Sequence, residues 1–161
     1  MKKLIALLMA ALMLVSFAAC GEAKDKEFTK EGLTITLTDA FKEASFEGYT
    51  VVYDSANVAV FVIKESFSLL AGFEDYTINQ YAQLVHTANS SKLPGEVKLE
   101  DGLLCFEYTY LNTDDNTTYK YFTTVFKGND AFWTIQFCST ADKYNECKPE
   151  MIKYAKSVNV G

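Results

Sequence analysis

The 161-residue sequence contains no arginine; its 15 basic residues are all lysines, set against 21 acidic ones for a net charge of −6. Arginine is the usual means of gripping phosphates and base edges with two bonds at once. An acidic surface without it repels nucleic acid and, taken as a whole, anionic headgroups, so nucleic acid is excluded as a partner. There is a single histidine, His86, and the four cysteines form no C-x-x-C pair. The usual ligand spacing of a zinc site is therefore missing, and no metal or cofactor is expected. Internal repeats and low-complexity stretches are lacking. The longest apolar run is short for a membrane span, which takes about 20 residues.

Hydrophobic residues make up 49% of the chain and aromatics 14%, which is sufficient for a packed core. The N-terminus begins Met1-Lys2-Lys3, continues as an uncharged, mostly apolar run over residues 4–19, and reaches Ala18-Ala19-Cys20. Positive charge, an apolar segment and small residues before a cut site are the plan of a secretory signal. Ending on a cysteine, Phe17-Ala18-Ala19-Cys20 resembles a bacterial lipoprotein lipobox, with Phe17 where leucine is usual. The resemblance implies diacylglyceryl attachment at Cys20 and cleavage before it. Two acyl chains hold a protein stably on a bilayer where one does not. A retained anchor helix and an ordinary secretory signal with an incidental Cys20 are the competing readings. On the lipoprotein reading, residues 1–19 are the signal, residues 20–27 the lipidated cysteine and a polar tether, and residues 28–161 one domain. Loss of Lys2 and Lys3 with the signal takes the net charge from −6 to −8.

Within the domain, Leu33, Ile35 and Leu37 alternate with Thr34, Thr36 and Thr38, which predicts a half-buried strand. Residues 39–48 read as a loop carrying Phe41 and Phe46. Residues 49–54 and 58–64 read as a hairpin around Ser55-Ala56-Asn57. The second of these strands is apolar on both faces, so it belongs in the middle of a covered sheet. Residues 77–90 predict a helix. Thr77 and Gln80 have capping-box spacing, Ile78, Tyr81, Ala82, Val85 and Ala88 share an inner face, and Asn79, Gln83, His86 and Asn89 fall on the wet side. Strands follow at 97–100, 103–111, 117–127 and 131–138, with turn signals at Asp101-Gly102, 112–116 and 128–130. A last helix is expected with Pro149 in its first turn and Met151, Ala155 and Val158 on one face; Tyr144 falls in a short turn before it.

Clustered strands with few helices argue for an α+β fold. The segments GLTITLTDAF, VIKESF, TINQYAQLV and WTIQFCSTADKYNECKPEMIKYAKSV, spread over residues 31–160, resemble the PsbP-like fold. The resemblance implies an antiparallel sheet sandwiched by helices; a cystatin-like α+β fold is the alternative. It carries no shared catalytic set, and its better-known members act by binding other proteins.

Candidate functional residues are few. His86 lacks a carboxylate one turn away and reads as a surface residue rather than a general base. Cys105 reads as a buried strand residue. An exported domain permits a bridge between Cys138 and Cys147, with two free thiols as the alternative. Asp114 and Asp115 lack the ligand alternation and glycine of a calcium loop. Tyr108, Tyr110, Tyr119 and Tyr121 would form a binding patch if the helices left one sheet face uncovered. These features favour a lipid-anchored, extracytoplasmic surface lipoprotein of the cell membrane that binds a protein or envelope component and is not an enzyme. An accessory subunit of a membrane complex is the alternative, with an envelope hydrolase a distant third.

Overall fold

The computed structural model describes residues 23–69, 72–89 and 95–161. The chain opens with an antiparallel hairpin of β1 (Asp25–Lys30) and β2 (Leu33–Thr38). Glu31 and Gly32 form its turn, with φ of 55° and 92°, the left-handed pair that matches strand twist. Sequence reading missed β1 because its polar residues DKEFTK show no buried alternation. Three residues assigned to the tether, 25–27, are the start of this strand. The threonines of β2 face outward, whereas Leu33, Ile35 and Leu37 are fully buried, as their alternation predicts.

The main sheet has seven strands in the order β3-β4-β5-β9-β8-β7-β6. Its members are β3 (Lys42–Ala44), β4 (Val51–Asp54), β5 (Ala59–Ser66), β6 (Lys98–Glu100), β7 (Leu103–Asn112), β8 (Thr117–Lys127) and β9 (Ala131–Thr140). All neighbours in it pair antiparallel. The expected loop over 39–48 contains β3, a short edge strand. As its two apolar faces require, β5 lies inside the sheet, between β4 and β9. The turn Asp101-Gly102 closes β6 on β7 with φ of 55° and 82°. At the β7–β8 turn, Asn112 accepts from the Asp114 amide at 3.1 Å and Asp115 accepts from the Thr117 amide at 2.9 Å. These two side chains supply the turn that residues 112–116 signal.

α1 (Ile78–Ala88) follows β5, and α2 (Tyr144–Lys156) follows β9. The Thr77–Gln80 capping box forms in full. The helix lies slightly rotated from expectation. Ala88 is exposed, while Asn89 is buried, with its amide donating to the Val85 carbonyl at 2.8 Å. α2 begins five residues before Pro149, which lies inside the helix rather than in its first turn. Tyr144 is buried and ties the early start to the sheet. β10 (Asn159–Val160) then returns to pair with β2.

Alternation along β9 divides the protein into two cores. Trp133, Ile135 and Phe137 join Val60, Val62 and Phe122 under α2 and the β1-β2-β10 sheet. Phe132 and Cys138 join Phe61, Phe106 and Val125 under Tyr81, Ala82 and Val85 of α1. Burying each large apolar side chain is worth about 1.5–3 kcal/mol, so both layers contribute heavily. Tyr81 stacks on Phe132 with ring centroids 4.1 Å apart. Beside Trp133, glycine is required at 128, since a Cβ there would lie 2.3 Å from the Gly161 carbonyl oxygen.

Candidate functional site

The tyrosines expected to form a patch are core residues instead. Tyr108, Tyr119 and Tyr121 are buried, and Tyr110 is half-buried at their margin. Tyr108 and Tyr121 are cross-strand partners whose rings stack 4.5 Å apart and nearly parallel. Phe46, from the expected loop, and Tyr49, just before β4, pack on the same core and add to its cover. Burial pushes the Tyr121 phenol far above its ordinary range, and raises the Tyr49 phenol and the Cys138 thiol each to about 12. The group is a neutral aromatic layer, and it is closed to partners.

The bridge between Cys138 and Cys147 is not formed. Cys105, Cys138 and Cys147 are free thiols. Cys138 faces the α1 core, whereas Cys147 packs from α2 onto the opposite core, so the sheet lies between them. Cys20 lies outside the described residues. His86 is half-buried rather than on the wet side, and its ring meets Phe106 edge-on at 5.4 Å. Among the described residues, no group of three or more His, Cys, Asp or Glu is placed to hold a metal ion, and no helix is long and apolar enough to cross a membrane.

The concentrated chemistry lies where α2 meets the β6–β7 edge. Glu107 projects from β7 toward the helix, on the face of Cys105 and Leu103. The Tyr144 hydroxyl donates to its carboxylate at 2.9 Å, and Lys148 does so at 2.8 Å. Lys120 and Lys98 approach at 3.2 and 3.3 Å. Glu100 pairs with Lys148 at 2.6 Å and with Lys98 at 2.7 Å. Burial pulls the Glu107 carboxyl upward, but the hydrogen bonds from Lys148, Tyr144, Lys120 and Lys98 outweigh it and hold the group at about 2. Bonds from Lys148 and Lys98 likewise lower Glu100. The cluster draws on three strands and a helix, and no spacing in the sequence signals it.

Beside this cluster, the outer face of α2 and the β6–β7 turn bound an open groove of about 580 Å³. Pro149 and Ile152 supply its apolar lining; Lys148, Lys153 and Lys156 face Glu100 and Asp101 across it. Lys153 also holds the Asp25 carboxylate at 2.8 Å, and Lys156 lies 3.7 Å from Asp101. A second, smaller depression of about 320 Å³ between α1 and the β6–β7 hairpin is lined by Ile78, Leu103, Leu104, Phe126 and the largely exposed Leu99.

No family model and no curated protein matches this sequence. Among solved structures, the solution structure of cyanobacterial PsbP (CyanoP) from Synechocystis sp. PCC 6803 aligns with a TM-score of 0.57 at 16% identity, covering 92% of this chain and 99% of that one. The fold is PsbP-like. The crystal structure of LpqN, involved in cell envelope biogenesis of Mycobacterium tuberculosis, aligns with a TM-score of 0.49 at 9% identity, covering 87% and 92%. At these identities the likeness concerns the fold alone. The PsbP-like architecture expected from the sequence patterns is present, in place of the cystatin-like alternative. In it the α2 groove is formed by the last helix and the β6–β7 edge of the main sheet.

Proposed function

We propose that the protein is a lipid-anchored, extracytoplasmic module that binds a protein or an envelope component, without catalytic chemistry of its own. The observation that carries this reading is the N-terminal order: a lysine pair, an apolar run and Ala18-Ala19-Cys20, followed within five residues by the first strand of a folded domain at Asp25. Such a chain has an address, a two-chain anchor and almost no spacer. The PsbP-like fold supports a binding role, since its better-known members bind other proteins. Because the tyrosine face is covered, the binding surface on this reading is α2 with the β6–β7 edge. Catalysis finds no support in His86, whose ring meets Phe106 rather than an orienting carboxylate and a nucleophile.

Replacing Cys20 by serine tests the anchor: the protein should leave the membrane fraction or accumulate unprocessed. Mass spectrometry of the wild-type N-terminus should show an acylated cysteine, and an unmodified one would overturn the address. Cross-linking in intact cells should then capture a reproducible neighbour through α2 or β6–β7. Co-purification with one membrane complex after mild detergent extraction would favour the accessory-subunit reading.

A further inference from the structure

The path of the chain into the fold restricts which surface can face the membrane. The Lys24 amide donates to the Asp39 carboxylate at 3.1 Å, and the Asp39 amide donates to the Lys24 carbonyl at 2.8 Å. One residue later, both oxygens of Asp25 accept from Lys153 of α2, at 2.8 and 2.9 Å. The start of β1 therefore lies beside the outer side of α2. Five residue steps separate Asp25 from Cys20. An extended chain spans at most about 3.6 Å per residue, so an anchor at Cys20 lies within roughly 18 Å of Asp25. Lys153, which lines the α2 groove and contacts Asp25, is thereby kept near any bilayer the anchor enters.

The chemistry of the groove suits the same neighbour. Lys148, Lys153 and Lys156 stand around Ile152 and Pro149, with Glu100 and Asp101 opposite; Lys148 is held by Glu100 and Glu107, which leaves Lys153 and Lys156 as the exposed cations. Lys153–Asp25 and Lys156–Asp101 are exposed pairs. Pairs of that kind contribute little, so both ammonium groups are free to exchange partners. Several other described lysines are dispersed singly: Lys64 lies beside Asp130, Lys127 donates to the carbonyls of Glu74 and Tyr76, and Lys143 donates to Asn57. A domain of net −8 is repelled by an anionic surface as a whole. Tethered to one, it turns its lysine-bearing side inward.

We propose that the groove between α2 and the β6–β7 turn docks on the membrane that holds Cys20. Lys153 and Lys156 take the headgroup phosphates of anionic phospholipid, and Ile152 and Pro149 sit toward the interface. The inference rests on the lipid-anchor reading above. The tether makes the contact intramolecular, so a weak site suffices.

The test uses the mature, full-length protein purified from membranes and reconstituted in phosphatidylcholine vesicles with or without phosphatidylglycerol. Fluorophores are placed at Asn145→Cys, on the groove lining, or at Asn116→Cys, each in a Cys147→Ser background, and quenched from the bilayer by a lipid-borne quencher. Quenching should be stronger at 145 than at 116, should increase with phosphatidylglycerol and should decrease with salt. With the label at 145, Lys153→Gln/Lys156→Gln should lower the docked-to-undocked ratio by about fivefold per lysine, while the protein still floats with the vesicles. Equal quenching at 145 and 116, or quenching indifferent to phosphatidylglycerol, overturns the docking proposal alone. Failure to float, or an N-terminus without acyl chains, overturns the anchor and the docking together.

Discussion

The two faces of the seven-stranded sheet are both buried, yet they treat carboxyl groups in opposite ways. Under α1 the phenols and the carboxyl are all shifted upward. Burial pushes the Tyr81, Tyr108 and Tyr121 phenols upward, and Glu65 is raised by burial against a lowering bond from Tyr81. Under α2 the Tyr53, Tyr144 and Tyr154 phenols rise too, but the carboxyl is shifted downward. Glu107 is held at about 2 because its hydrogen-bonding lysines and Tyr144 outweigh its burial. A buried carboxyl stays charged only where partners replace the water it loses. Glu107 is met by several lysines and the Tyr144 hydroxyl, whereas Glu65 is met by the Tyr81 hydroxyl.

The largest effects should come from adjacent residues of β9 that point to opposite faces. Trp133→Ala opens the α2 core and Phe132→Ala opens the α1 core; each should cost about 3–5 kcal/mol in urea unfolding. A much smaller cost for Phe132→Ala would mean that the α1 layer, covered partly by loops, collapses to fill the space, and the two faces would then differ in packing as well as in charge.

The carboxyl pair comes next. Glu107→Gln should cost about 1–3 kcal/mol at neutral pH, because it leaves Lys148 and Lys120 short of a partner. Glu65→Gln should cost less than about 1 kcal/mol, since the amide oxygen still accepts from Tyr81 and a raised carboxyl gains little from its charge. For Glu107 the folded value lies below the ordinary 4.5, so its stabilisation is present above that value and is lost as pH falls from there toward about 2. Melting temperature against pH should therefore show the wild type and Glu107→Gln converging in acid. Equal costs for the two substitutions would erase the contrast between the faces.

A smaller effect is expected at the α1 cap. Thr77→Ala removes the side-chain oxygen that accepts from the Gln80 amide, and should cost about 1 kcal/mol by thermal melting. The thiols sharpen the comparison without changing stability. Cys147 should react first with a thiol reagent in the native state, with Cys105 and Cys138 following only on unfolding. Persistent protection of Cys147 together with Cys138 after unfolding without reductant would reveal a bridge and contradict their placement on opposite faces.

Much of the fold was legible from local pattern. The alternation in β2, the turn at Asp101-Gly102, the two apolar faces of β5 and the Thr77–Gln80 cap are each decided by neighbouring residues, and each stands in the structure. The polar strand β1 was not legible, since it is an edge strand that draws its order from pairing with β2. Nor was the α2 start, which depends on Tyr144 reaching Glu107, 37 positions away. The candidate site was least legible. Lys98, Glu107, Lys120 and Lys148 are unremarkable in sequence and become a cluster only where three strands and a helix converge.

The sequence by itself determined the alternating strands and the tight turns, because these depend on dihedral preference and polarity over a few residues. The tertiary structure decided which tyrosines are covered, which thiols are separated by the sheet and which carboxylate stays charged. Burial and charge state are set by whatever distant segment comes to lie over a residue, and no local pattern records that.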